Sequence, residues 1–136
     1  LSKRVPSAPV WLAGFESQDQ ARLAAGLEAR GYTCIALTEN DLEKMEAAST
    51  SVGAGRGFVV AHASQTKRVG QWLEVWREHE EQPRVIMVLP KRDSSKLNDL
   101  LRIGVKFCLV CDPQPDLVLE AMQRSEATKG CWIVTA

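Results

Sequence analysis

Val85-Ile86-Met87-Val88-Leu89, entered through Pro83-Arg84, is an unbroken aliphatic run. A strand with one wet face alternates apolar and polar residues. This one does not alternate, as expected of a strand covered on both faces. Working outward from it, comparable runs occupy Gly57-Phe58-Val59-Val60-Ala61 upstream and residues 105–110 downstream. Residues 8–15, ending at Gly14 and Phe15, and residues 32–37 complete a set of five. The segments between them carry helical spacing. In 18–30, Ala21, Ala24, Ala25 and Leu27 recur on one face, with Ser17 placed to cap and Gly31 to stop. Residues 39–48 after Thr38 read as a second helix. Residues 67–81 follow with an apolar stripe of Val69, Trp72, Leu73 and Trp76, then 94–103, stopped by Gly104, and 115–125.

Strand and helix therefore alternate five times, with no internal repeat and no linker long enough to divide the chain. Short alternating connections imply a parallel sheet wrapped by helices on both faces. Five units favour the strand order 2-1-3-4-5, with function at the carboxyl ends of the strands. The 136 residues suffice for one domain, and the 45% hydrophobic and 25% charged fractions are ordinary for a globular one. Seventeen basic residues balance 17 acidic ones, leaving no excess to neutralise phosphates, which argues against nucleic-acid contact by this chain itself. No apolar run approaches the roughly 20 residues of a membrane span, and no membrane partner is expected. The four cysteines, at 34, 108, 111 and 131, read as free thiols of a cytoplasmic protein, since the aliphatic core needs no bridges. The initial Leu1 suggests a piece of a longer protein. Residues 1–7 read as a tail, 8–125 as the domain, and 126–136 as a C-terminal segment leading to a linker.

From Val10 to about Gln123 this register resembles the CheY-like receiver domains of two-component signalling, a flavodoxin/CheY-like (βα)5 doubly wound five-stranded parallel sheet. Gly57–Ala61 resembles the third strand that leads into the phospho-accepting Asp. Gly70, eight residues past His62, falls where receivers often carry glycine. Residues 83–89 and 104–110 are similar to the fourth strand and to the approach to the receiver lysine. The resemblance implies Mg²⁺-binding carboxylates after strand one and at strand three, an Asp nucleophile, a Thr or Ser after strand four and a Lys after strand five. The matching positions hold Gly14 and Phe15, His62, Leu89 and Cys111. Glu16 and Asp112 lie one residue away, but no single shift restores all five groups. The expectation is a pseudo-receiver without aspartyl phosphorylation, catalytic residues, metal or cofactor.

Beyond the last helix, Glu126-Ala127-Thr128-Lys129-Gly130 leads to Cys131-Trp132-Ile133. This resembles the end of the receiver half in LuxR/NarL-type transcription regulators, which implies a helix-turn-helix beyond this chain and DNA contact only through that effector domain. The alternative is a pseudo-receiver attached to a signalling protein that does not bind DNA.

Several clusters have both a functional and a plain reading. Glu16, His62 and Cys111 could form a ligand, metal or redox sensor in the former phosphorylation crevice. Otherwise His62 bonds a backbone group and Cys111 packs as a small hydrophobe. Cys108 and Cys111 form a C-x-x-C, but along a strand residues three apart face opposite ways. Gly53-Ala54-Gly55-Arg56-Gly57 follows a helix and opens a strand, the reverse of a phosphate-cradling loop. Trp72 and Trp76 read as helix-to-sheet packing, and His79 as solvated. Lys96, Asp99 and Arg102, with Lys106 and with Glu120 and Arg124, flank the fifth strand. Receivers commonly self-associate or dock partners there, so these residues are the candidate interface for a homodimer or a regulatory protein partner.

Overall fold

The computed structural model describes residues 9–37, 57–76, 84–127 and 132–135. The chain runs β1 (Pro9–Ala13), α1 (Ser17–Glu28), β2 (Thr33–Leu37), β3 (Phe58–His62), a 3-10 turn (Ala63–Gln65) and α2 (Thr66–Trp76). It continues through β4 (Arg84–Leu89), α3 (Ser94–Ile103), β5 (Phe107–Val110), α4 (Pro115–Ala127) and β6 (Trp132–Thr135). All neighbouring strands pair in parallel, in the order β2-β1-β3-β4-β5-β6. The order 2-1-3-4-5 expected from five units holds, with a sixth strand added. The helix expected over 39–48, the glycine-rich stretch 53–56, His79, the tail 1–7 and Cys131 lie outside the described residues.

The sixth strand is a finding that periodicity did not reveal. Trp132-Ile133-Val134-Thr135 pairs with β5 from Phe107↔Trp132 to Val110↔Thr135. Four residues are too few for an alternation pattern to register, yet their aromatic and β-branched side chains suit a strand. The backbone of β6 takes up the ladder groups that β5 would otherwise leave at an open edge.

Successive residues of β1, β3, β4 and β5 enter opposite core layers, as a period of two requires. Val10, Leu12, Phe58, Val60, Ile86, Val88 and Leu109 meet Leu23 and Leu27 of α1 and Val118 and Met122 of α4. Trp11, Val59, Ala61, Val85, Met87, Leu89 and Cys108 meet Val69 and Trp72 of α2 and Leu97 and Leu100 of α3. Trp72 is 1% exposed, so its indole is packing material between helix and sheet. α1 starts at Ser17 itself. Glu16 holds the cap position without a side-chain cap bond, correcting the assignment of that role to Ser17. α3 is bounded as the sequence suggests. Asp93 accepts the Lys96 N–H at 3.1 Å, and Gly104 closes the helix at φ 104°. α1 and α4 approach so closely at Gly26 that a Cβ there would collide with the Pro115 ring. No described helix is long and apolar enough to cross a membrane.

Candidate functional site

The carboxyl ends of β1 and β3 bring Gly14, Phe15 and His62 together. β1 ends at Ala13, and Gly14 turns the chain at φ 82°, a backbone setting that favours glycine. β3 ends at His62, still extended at φ −70° and ψ 147°, and the 3-10 turn begins immediately. The imidazole folds onto that turn. The Ser64 N–H donates to His62 Nδ1 at 3.0 Å, and Ser64 Oγ lies at the same distance. Nδ1 therefore presents its lone pair to the turn and acts as its N-cap.

Neighbouring side chains crowd this corner. The Phe15 ring meets the His62 ring edge-on, with centroids 5.9 Å apart and planes at 86°. The Gln65 side chain lies over Gly14 so tightly that a Cβ on Gly14 would run into its Cγ. Gln65 Nε2 donates to Ser64 Oγ at 3.4 Å, and Thr66 Oγ1 donates to the Ala63 carbonyl at 2.6 Å. Ser64 and Gln65 were not singled out from the sequence. The signal was their place directly after a strand-end histidine, where a short polar residue two positions on can offer its N–H.

The other strand-end positions do not join this cluster. Leu89 is 1% exposed and points into the layer beneath α2 and α3. Cys111 shares a core layer with α1 and α4, and its N–H donates to the Leu89 carbonyl at 3.0 Å. Burial, with Asp112 adding, pushes the Cys111 thiol above its usual range, which favours its protonated form. Cys108 and Cys111 fall in opposite layers, as their spacing along the strand required. Glu16 is exposed at the start of α1. Two strand spacings, about 10 Å, separate β3 from β5, so facing one side of the sheet does not bring His62 to Cys111. Among the described residues no three His, Cys, Asp or Glu side chains gather closely enough to hold a metal ion. The three-ligand arrangement of Glu16, His62 and Cys111 is thus not formed.

The candidate interface residues are divided by the sheet. Lys96, Asp99 and Arg102 belong to α3 and Glu120 and Arg124 to α4, which pack on opposite faces. Arg102 pairs with Asp99 at 3.9 Å and Arg124 with Glu120 at 3.2 Å, all largely exposed. Such surface pairs contribute only about 0–1 kcal/mol each. Lys106 is exposed in the turn entering β5, and β6 now lies beyond β5 in the sheet.

A second feature stands at the carboxyl end of β4. Ala63, Leu89 and Pro90, with Lys91, Arg92, Asp93, Ser94 and Lys96, line an open groove of about 680 Å³. Lys91 and Arg92 did not figure among the candidates read from the sequence. A basic pair set between a buried strand and the helix cap Asp93 was the available signal.

No family model matches the chain, and no curated protein matches its sequence. Solved structures do. The chemotaxis response regulator CheY4 of Vibrio cholerae matches with a TM-score of 0.63 at 13% identity, over 87% of this chain and 98% of its own. A response regulator from Thermotoga maritima matches at 0.64 and 13%, over 90% and 99%. An atypical orphan response regulator, reported with a phosphorylation-independent regulatory mechanism, matches at 0.64 and 12%, over 91% and 99%. With the strand order and the layering of the core, these likenesses establish the CheY-like receiver fold for this chain.

Proposed function

We propose that this domain is a non-catalytic pseudo-receiver that regulates without aspartyl phosphorylation, by forming a homodimer or docking a regulatory protein, in a bacterial transcription regulator. The observation that carries this reading is His62. The residue at the acceptor position offers an imidazole, and its Nδ1 is committed to the turn that follows. The corner around it holds Phe15 and the Gln65 side chain where Mg²⁺ and a phosphoryl group would need carboxylates and open space. One of the structural neighbours is itself described as regulating independently of phosphorylation. Without a covalent phosphoryl group, the two states of such a switch are biased by a partner that binds one better than the other.

The test is incubation with acetyl phosphate and Mg²⁺, read by intact mass, on the wild-type chain and on His62→Asp. No mass gain is expected for either, because Gly14, Phe15, Leu89 and Cys111 still lack the metal, phosphate and counter-charge groups. A stable phosphoryl adduct on the wild-type chain overturns the reading. Native mass spectrometry tests the dimer in parallel.

A further inference from the structure

We propose that the groove at the end of β4 docks an acidic, amphipathic segment of a partner protein. The inference rests on the reading of this domain as a docking module and names the chemistry of what docks. Three cations, Lys91, Arg92 and Lys96, surround the groove against the single carboxylate of Asp93. None of the three has an ion-pair partner among the described residues. Four arginines elsewhere are engaged within the domain, Arg22 by Asp19 and the Pro113 carbonyl, Arg84 by the Ser125 carbonyl, Arg102 by Asp99, and Arg124 by Glu120. What marks the groove is that three uncommitted cations gather around one apolar floor.

Its apolar part is equally specific. Buried Ala63 and Leu89 close the bottom, Pro90 is exposed beside them, and the aliphatic stems of the lysines and arginine extend the apolar surface beneath their charges. A segment that sets an apolar side chain on this floor and carboxylates on the rim satisfies both. A phosphate-bearing small molecule fits less well. The N-terminus of α3, the natural phosphate seat, is already taken by the Asp93 carboxylate at 3.1 Å from the Lys96 nitrogen. The polar lining is exposed or half-buried, without the buried, fixed groups that orient a small ligand. Nucleic acid is disfavoured by the formal net charge of zero and by the small number of cations in the groove.

The experiment is amide NMR of the ¹⁵N-labelled chain titrated with a short synthetic peptide of Asp, Glu, Leu and Phe. The controls are its Asn/Gln counterpart and ATP. Expected are shifts confined to the amides of Ala63, Leu89 and Lys91 through Lys96, weakened by salt. Binding should be at least about tenfold weaker in the Lys91→Glu, Arg92→Glu double variant and unchanged in Arg30→Glu, an exposed arginine outside the groove. Circular dichroism checks that the variants stay folded. Silence up to millimolar acidic peptide, equal binding of the Asn/Gln peptide, or ATP binding without peptide binding overturns the inference. Phosphoryl uptake by mass would instead sink the phosphorylation-independent reading, so the two failures are distinguishable.

Discussion

Two corners at the carboxyl edge of one sheet use their polar groups in opposite ways. At the ends of β1 and β3, His62 Nδ1 is bound to Ser64, the Phe15 ring packs against the imidazole, and Gln65 covers Gly14. One strand further on, Lys91, Arg92 and Lys96 surround a groove with no ion-pair partner among the described residues. The first corner is internally satisfied and contributes to folding. The second contributes little to folding and leaves charge available for binding. On the proposed pseudo-receiver reading, a corner closed on itself need not leave an inert edge, because the neighbouring strand end can carry recognition.

That contrast can be broken by mutation, and the closed corner should respond most. Gly14→Ala places a side chain on a left-handed backbone and drives it into Gln65, and should cost roughly 2–4 kcal/mol in urea unfolding. Adding Gln65→Ala should return only the steric share. A Gly14→Ala protein as stable as the parent would mean that the corner is not tightly filled. His62→Ala removes an N-cap acceptor and should lose about 1 kcal/mol, whereas His62→Asn, which can still accept the Ser64 N–H, should lose less. Equal losses would place the effect in the Phe15 contact instead.

The thiols offer a pH test of how far the core extends. Burial, with Glu28 adding, pushes Cys34 from 9.0 up to about 11. The fold therefore favours the protonated thiol. Its contribution is fully present below pH 9 and is lost as pH rises from 9 toward 11, because the unfolded chain releases the proton first. Thermal melts across that window should fall more in the wild type than in Cys34→Ser, and a flat difference would put Cys34 in solvent. The smallest effect belongs to the open groove. Lys91→Glu with Arg92→Glu should alter stability by no more than about 0.5 kcal/mol, since neither charge is engaged. A larger loss would show that the groove is part of the core after all.

Much of this was legible in advance, for identifiable reasons. The uninterrupted run at 85–89 and the alternating layers of β3 follow from the period of a strand. Gly104 closes α3 through chemistry local to a few residues. The opposed placement of Cys108 and Cys111 needed only their spacing. The sixth strand was missed because four residues carry no readable period, and because its pairing partner β5 lies more than 20 residues away in sequence. The grouping of Glu16, His62 and Cys111 did not materialise because a strand order says which ends share an edge, not how wide that edge is.

The alternation of apolar runs, caps and glycines specified the element order and which residues stand at the strand ends, since each is written in residue identity or local spacing. Long-range packing had to settle the rest. It decided that Gln65 closes over Gly14, that β6 takes the ladder of β5, and that Ala63 joins Leu89 in the groove that Lys91, Arg92 and Lys96 surround. Those outcomes depend on distances between segments remote in the chain, which hydrophobic burial and backbone pairing set only once the layers have assembled.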